Sequence, residues 1–88
     1  PTRVYAPKPD IVQGRTNDTA EVRALQHLCN FWGWRDATNR TLLVDGIYAQ
    51  KSVQACIAMQ TALKVKPDGW YGPATQRALQ AFLDEMVR

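Results

Sequence analysis

The sequence predicts an all-α fold, a three-helix bundle, and three observations lead to that prediction. Apolar residues recur at intervals of three and four in three separate segments, which is the spacing of an amphipathic helix. No segment sustains the alternation of apolar and polar residues that marks a half-buried strand. A short unit beginning with Asp-Gly occurs twice, ahead of the second and third segments. With 88 residues, the chain has room for one such domain.

The first 17 residues lack this periodicity and contain Pro1, Pro7 and Pro9. We expect residues 1–17 to be a linker, or an N-terminal arm lying on the domain, and residues 18–88 to form the domain itself. Because the sequence starts at Pro1 without an initiator methionine, we also expect it to be one module of a longer chain.

The first helix is predicted to start near Asp18 or Thr19, either of which can cap its free backbone N–H groups. Glu21 then lies in the first turn, where a negative charge favours the helix dipole. Gly33 is a natural helix end. One apolar stripe runs between these points, and we expect the following Trp34 to anchor in the core. The stripe consists of Val22, Leu25, Leu28, Cys29 and Trp32.

Residues 35–43 are predicted to be a loop, and the second helix to run over residues 50–63. We expect the segment from Lys64 to Pro67 to end this helix, since Pro67 disfavours helical geometry in the residue before it. Pro73 opens the third helix, because a proline fits the first helical turn. The predicted inner side of the second helix comprises Val53, Cys56, Ile57, Met59, Gln60 and Leu63.

The two helix entries are copies of one unit. Asp45-Gly46-Ile47-Tyr48-Ala49 precedes the second helix, and Asp68-Gly69-Trp70-Tyr71-Gly72 precedes the third, 23 residues later. At the same offset Ser52 matches Thr75, whose hydroxyls lie in the first helical turn and could tie down the loop. Asp-Gly favours a turn, because Asp bonds nearby backbone N–H groups and Gly tolerates positive φ. An internal repeat of one supersecondary unit explains these matches.

These residues resemble the peptidoglycan-binding domain of type one, a three-helix module attached to cell-wall hydrolases such as amidases, carboxypeptidases and phage endolysins. That family has an opening helix with a Leu-Gln pair, present here as Leu25-Gln26, and two copies of Asp-Gly-x-aromatic-Gly-x-x-Thr. The second copy, residues 68–75, matches every motif position. The first departs from the pattern, since Ala49 replaces Gly and Ser52 replaces Thr. Met59-Gln60 replaces a Phe-Gln pair, and the resemblance spans residues 18–87.

The resemblance implies a ligand site at the helix entries, with the second copy as its centre. Trp70 or Tyr71 can stack on a sugar ring, and the start of the third helix favours a carboxylate. Arg77 could clamp that carboxylate, although it can equally be a solvated surface residue. Asp45 and Gly46 can likewise be read as purely architectural. The expected ligand-binding residues are Asp68, Gly69, Trp70, Tyr71, Gly72, Thr75, Arg77, Asp45, Gly46 and Tyr48.

Catalytic, metal and cofactor chemistry has no support in the sequence. His27, the single histidine, lacks a nearby carboxylate or cysteine companion and is expected to face solvent. Cys29 and Cys56, 27 residues apart, have neither zinc nor redox spacing. We expect buried free thiols, with an inter-helix disulfide as the alternative. The net charge of +3 is dispersed, so nucleic acid is an improbable partner, and no apolar run reaches membrane-spanning length.

The expected function is non-catalytic binding of peptidoglycan, its glycan strand and peptide stem, which targets a hydrolase domain of the same parent chain. A phage endolysin is the preferred parent; it would be made in the host cytoplasm and act at the bacterial wall or periplasm. Two alternatives stay open. One is a protein- or nucleic-acid-interaction module. The other is an autoinhibitory pro-domain, because matrix metalloprotease pro-segments resemble this fold and block zinc with a loop cysteine.

Overall fold

The computed structural model describes residues 3–87, without the side chain of Val87, and Pro1, Thr2 and Arg88 lie outside the described part. Three helices carry the fold: α1 (Thr19–Trp32), α2 (Gln50–Ala62) and α3 (Pro73–Val87). Within the described residues the β-structure is limited to one isolated antiparallel bridge, between Ile11 and Tyr71. The all-α, three-helix prediction is therefore confirmed.

Local sequence signals set both ends of α1. The Asp18 carboxylate accepts a hydrogen bond from the Glu21 N–H at 3.1 Å, the N-cap geometry that the sequence predicts. Gly33 adopts the left-handed conformation at φ 82°, and the Trp34 N–H reaches back to the Cys29 carbonyl at 2.8 Å. This closure satisfies carbonyls that would otherwise lack a partner at the helix end.

The end of α2 lies within one residue of the predicted position, but its cause differs from the prediction. The helix ends at Ala62, five residues before Pro67. Lys64 takes a left-handed conformation (φ 60°), and the Val65 N–H bonds the Gln60 carbonyl at 3.0 Å. A left-handed residue with this six-to-one hydrogen bond closes a helix without proline. The backbone of residues 60–65, rather than Pro67, thus terminates α2.

The inner face of α2 is also rotated from its predicted position. Cys56, Met59 and Gln60 are buried as expected, but Val53, Ile57 and Leu63 are only partly buried. Ser52 and Ala55 are buried instead. The apolar core otherwise follows the predicted stripes, with Trp34 buried and Trp32 packed at its edge. Its buried members are Ala6, Ile11, Val22, Leu25, Cys29, Trp34, Leu42, Tyr48, Ala55, Cys56, Met59, Tyr71, Leu79 and Leu83.

The described part of the N-terminal arm, residues 3–17, contacts α1, α3 and the second Asp-Gly loop. Arg3 forms two 2.8 Å hydrogen bonds with the Asp84 carboxylate. The Gln80 side chain accepts from the Ala6 N–H and donates to the Val4 carbonyl, each at 2.8 Å. Ile11 is only 2% exposed. We therefore propose that the arm belongs to the folded unit rather than acting as a free linker.

The loop at residues 35–43 is ordered by side chains that satisfy its backbone. One oxygen of Asp36 accepts from the N–H groups of Thr38 (2.9 Å) and Arg40 (3.0 Å). Asn30 of α1 both accepts from the Leu42 N–H and donates to the Leu42 carbonyl. These bonds fix the chain as it approaches the first Asp-Gly loop.

Cys29 and Cys56 are free thiols in the core, 1% and 0% exposed. Burial raises the pKa of the Cys56 thiol to about 11 and also raises the pKa of Cys29. The expectation of buried thiols is confirmed over the disulfide alternative.

We expect neither thiol to react with a water-soluble alkylating reagent at pH 8 until the protein unfolds. Above the usual thiol pKa of 9.0, the unfolded chain loses these protons while the folded chain keeps them, so the free energy of unfolding should fall as pH rises. Thiol counting in native and denatured protein, with melting curves at pH 7–10, tests this. Rapid native labelling would contradict the burial.

Candidate functional site

Each Asp-Gly loop is held by a buried glutamine of the helix that precedes it. Gln60 of α2, 0% exposed, donates from Nε2 to Asp68 Oδ1 (3.1 Å), the Trp70 carbonyl (2.9 Å) and Thr75 Oγ1 (3.0 Å). Its Oε1 accepts from the Gly69 N–H at 2.9 Å. One side chain therefore joins the loop to the first turn of α3.

Gln26 of α1 does the same for the first loop. Its Nε2 donates to Asp45 Oδ1, the Ile47 carbonyl and Ser52 Oγ at 3.0–3.1 Å. Its Oε1 accepts from the N–H groups of Asp45 and Gly46. The predicted hydroxyl tie exists at both positions: Thr75 is linked to its loop through Gln60, and Ser52 is linked through Gln26 and also donates directly to the Ile47 carbonyl at 3.4 Å. The sequence contained the signal, since Gln26 and Gln60 are the glutamines of the two Leu-Gln-like pairs, but it did not reveal their role.

The aspartates and glycines form matching turns. Asp45 and Asp68 each accept from the N–H two residues ahead, at 2.9 and 3.0 Å, and this bond lowers the pKa of Asp45. Gly46 and Gly69 have φ values of 76° and 77°, as the sequence predicts. A Cβ on Gly69 would lie 2.7 Å from Val53 Cγ1. Glycine is thus needed at this position for both conformation and space.

The tyrosines of the two units are structural. The Tyr48 hydroxyl donates to the Gly69 carbonyl at 2.6 Å, and the Tyr71 hydroxyl donates to the Pro7 carbonyl at 2.9 Å. The rings are 6% and 0% exposed, and burial raises the pKa of both phenols. The expectation that Tyr48 and Tyr71 contact a ligand is corrected accordingly, because both rings lie in the core.

Trp70 faces outward where Tyr71 faces inward. Its side chain is 44% exposed, and its indole lies over Gly72, where an added Cβ would come within 2.6 Å of ring atom Cε2. Gly72 therefore leaves the space that the indole occupies. The counterpart of Trp70 is the smaller Ile47, 62% exposed, and there the unit has Ala49 in place of glycine.

A cleft of about 390 Å³ opens beside Trp70 at the start of α3. It brings together five of the predicted site residues, whereas Gly69 is buried and is not among the lining residues. Lys66 and Arg77 give this cleft two cations against one carboxylate, that of Asp68. Lys66 belongs to the densest basic group of the sequence but was not predicted as a site residue. The lining comprises Val65, Lys66, Asp68, Trp70, Gly72, Pro73, Ala74, Thr75 and Arg77.

The first copy has its own cleft of about 400 Å³, lined by Asp45, Ile47 and Ser52 among others. Gly46 lies in the turn that Gln26 holds, half-buried, and not among the lining residues. Six of the ten predicted residues thus line one cleft or the other, Gly46 and Gly69 lie in the turns, and Tyr48 and Tyr71 lie in the core.

Among residues 3–87 no group of three or more His, Cys, Asp or Glu side chains is placed to hold a metal ion. His27 is exposed on α1. None of the helices in this range combines the length and apolar character that crossing a membrane requires. Because Cys29 and Cys56 are buried, neither thiol can reach a zinc ion of another domain, as an autoinhibitory pro-domain would require.

Comparison with known proteins identifies the fold's relatives. The family described as "Putative peptidoglycan binding domain" matches residues 18–82, more than half of the 88-residue chain. A curated relative, "Probable N-acetylmuramoyl-L-alanine amidase" of Bacillus licheniformis, is 43% identical over 37 residues, which is 42% of this chain and 10% of the relative. The chain thus aligns with only a tenth of that protein's length. No solved structure matches this chain. By its helices, its paired loops and this match, the chain belongs to the peptidoglycan-binding domain family.

Proposed function

We propose that this chain is a non-catalytic module that binds peptidoglycan through the second cleft, at the mouth of α3. The observation that carries the proposal is an exposed Trp70 beside Lys66 and Arg77 in one cleft. An indole face stacks on the apolar face of a sugar ring, and the two cations suit a carboxylate. Peptidoglycan supplies both groups. Gln60 bonds the Trp70 carbonyl and the Gly69 N–H and so fixes the loop backbone from which the indole projects.

The parent protein is proposed to be a cell-wall hydrolase. The name of the relative specifies an amidase acting on N-acetylmuramoyl-L-alanine, and this module would bring such a catalytic domain of the same chain to its substrate. A phage endolysin is our preferred parent. It would be made in the host cytoplasm and act at the cell wall or in the periplasm.

One stacked ring and one or two charge-assisted hydrogen bonds correspond to an affinity of about micromolar to millimolar. Weak binding suits a tethered module, because a second contact by the attached enzyme raises the effective concentration.

Replacing Trp70 by alanine is expected to weaken binding to purified sacculi about tenfold, because the stacking surface is lost. Co-sedimentation with sacculi measures the change. Since Trp70 is exposed, the variant should keep its helical circular dichroism. Phe31→Ala is the matched control, as Phe31 is 77% exposed and lies outside both clefts.

Two further expected results concern the interaction with sacculi. The Cys29→Ala/Cys56→Ala variant should lose stability through lost packing but bind sacculi while folded.

The wild-type domain should release no reducing ends or new amines from sacculi over hours. Release would contradict the non-catalytic role, and equal binding by the Trp70 and Phe31 variants would contradict the location of the site.

A further inference from the structure

The two clefts are related by the internal repeat. Eight residues line the first, and each has a counterpart 23 positions later among the residues that line the second. The volumes are nearly equal, about 400 and 390 Å³. The chain therefore presents the same concave surface twice, each time at the start of a helix and above a buried glutamine.

The floors of the clefts are alike. Asp45 and Ser52 in the first correspond to Asp68 and Thr75 in the second, and each pair bonds the Nε2 group of a glutamine. These polar atoms bond the glutamine that holds the loop, so ligand recognition depends on the side chains that form the walls of each cleft.

The walls differ in chemistry. Ile47 takes the place of Trp70, and Leu43 takes the place of Lys66. Leu43 and Ile47 are 78% and 62% exposed, which leaves an aliphatic wall open to solvent. The cation of the first cleft is Lys51, at the position of Ala74. The first cleft thus offers aliphatic surface and one cation against one carboxylate, that of Asp45, without an aromatic platform for a sugar.

We propose that the first cleft is a second subsite, which takes the aliphatic side chains and one carboxylate of the peptide stem, while the second cleft stacks the sugar and pairs Lys66 and Arg77 with a further carboxylate of the same ligand. This inference rests on the proposed function. Small aliphatic side chains of a peptide fit against Leu43 and Ile47, and the Lys51 ammonium pairs with a peptide carboxylate. Two subsites of unlike chemistry in one module favour an intact sugar-peptide unit over either part alone.

The proposal is tested by NMR titration of the ¹⁵N-labelled domain with two separate ligands, a free stem peptide and an N-acetylglucosamine oligosaccharide. The peptide should shift amides of residues 42–52, and the oligosaccharide should shift amides of residues 65–77. Lys51→Gln should weaken peptide binding about three- to tenfold and leave oligosaccharide binding unchanged. Lys8→Gln, which removes an exposed charge outside both clefts, should change neither.

The outcomes separate this proposal from the one on which it rests. Peptide shifts confined to residues 65–77, or equal peptide affinity of the Lys51 and Lys8 variants, would overturn the peptide subsite while leaving the second cleft in place. Absence of shifts with both ligands, together with no binding to sacculi, would overturn the proposed function and the subsite with it.

Discussion

Replacing Gln60 by leucine is expected to lower the free energy of unfolding by about 3–5 kcal/mol, although leucine has a similar size. The amide makes four hydrogen bonds with no exposure to solvent. Without it, the Gly69 N–H and the Trp70 carbonyl each lose a partner in a region that water does not reach easily, and the loop loses its tie to Thr75. For a domain of this length, the change is a large part of the total stability.

Gln13→Leu is the control, because Gln13 is exposed on the arm. Urea unfolding followed by circular dichroism should show a large loss for the Gln60 variant and a change within about 0.5 kcal/mol for the Gln13 variant. Gln26→Leu should resemble Gln60→Leu, because Gln26 makes the equivalent bonds. A Gln60 variant as stable as wild type would show that the glutamine does not organise the loop.

The helices were predictable because their signals are local. Asp18 and Gly33 act within one turn of the residues they cap, so their roles follow from the chain itself. The inner face of α2 was less predictable, since its buried Ser52 and Ala55 are small residues selected by the close approach of neighbouring elements. The periodicity of large apolar residues predicts that Val53 and Ile57 face the core. It does not detect a buried face made of small residues.

The sequence leaves open which neighbour, Trp70 or Tyr71, faces the core. Adjacent side chains in extended backbone point to opposite sides, so a contact that fixes the direction of one side chain also fixes that of its neighbour. That contact is the arm: the Tyr71 N–H and carbonyl bond the backbone of Ile11, and the Tyr71 hydroxyl bonds Pro7. Residues 60 and 64 positions before Tyr71 thus orient Trp70 outward, and no local pattern encodes that pairing.

The arm therefore influences the candidate site, although the family match begins at residue 18 and does not include the arm. The bridge to Ile11 fixes the backbone between Trp70 and Gly72, the stretch on which the indole rests. The geometry of this part of the second cleft depends on long-range pairing. The turn at Asp68 and Gly69, in contrast, is predicted by the repeat.

Gly69→Val is expected to destabilise the domain by about 2–5 kcal/mol, for two separable reasons. The residue has φ 77°, a conformation that costs a side chain with a Cβ about 1–2 kcal/mol. In addition, the new Cβ would lie 2.7 Å from Val53 Cγ1, so the core must shift, at a further cost of about 1–3 kcal/mol. Melting curves should show the midpoint lowered by about 10 °C or more.

Gly14→Val separates the two causes. Gly14 has a similar φ of 86°, but a Cβ there meets nothing within 4 Å. Its variant should therefore carry the conformational cost alone and remain clearly more stable than the Gly69 variant. Equal losses would show that the clash with Val53 is relieved at no cost, and an unchanged melting temperature for Gly69→Val would show that the turn does not need positive φ. If the Gly69 variant is too unstable to measure, Gly69→Ala makes the same comparison with Gly14→Ala, because alanine also carries the Cβ that meets Val53.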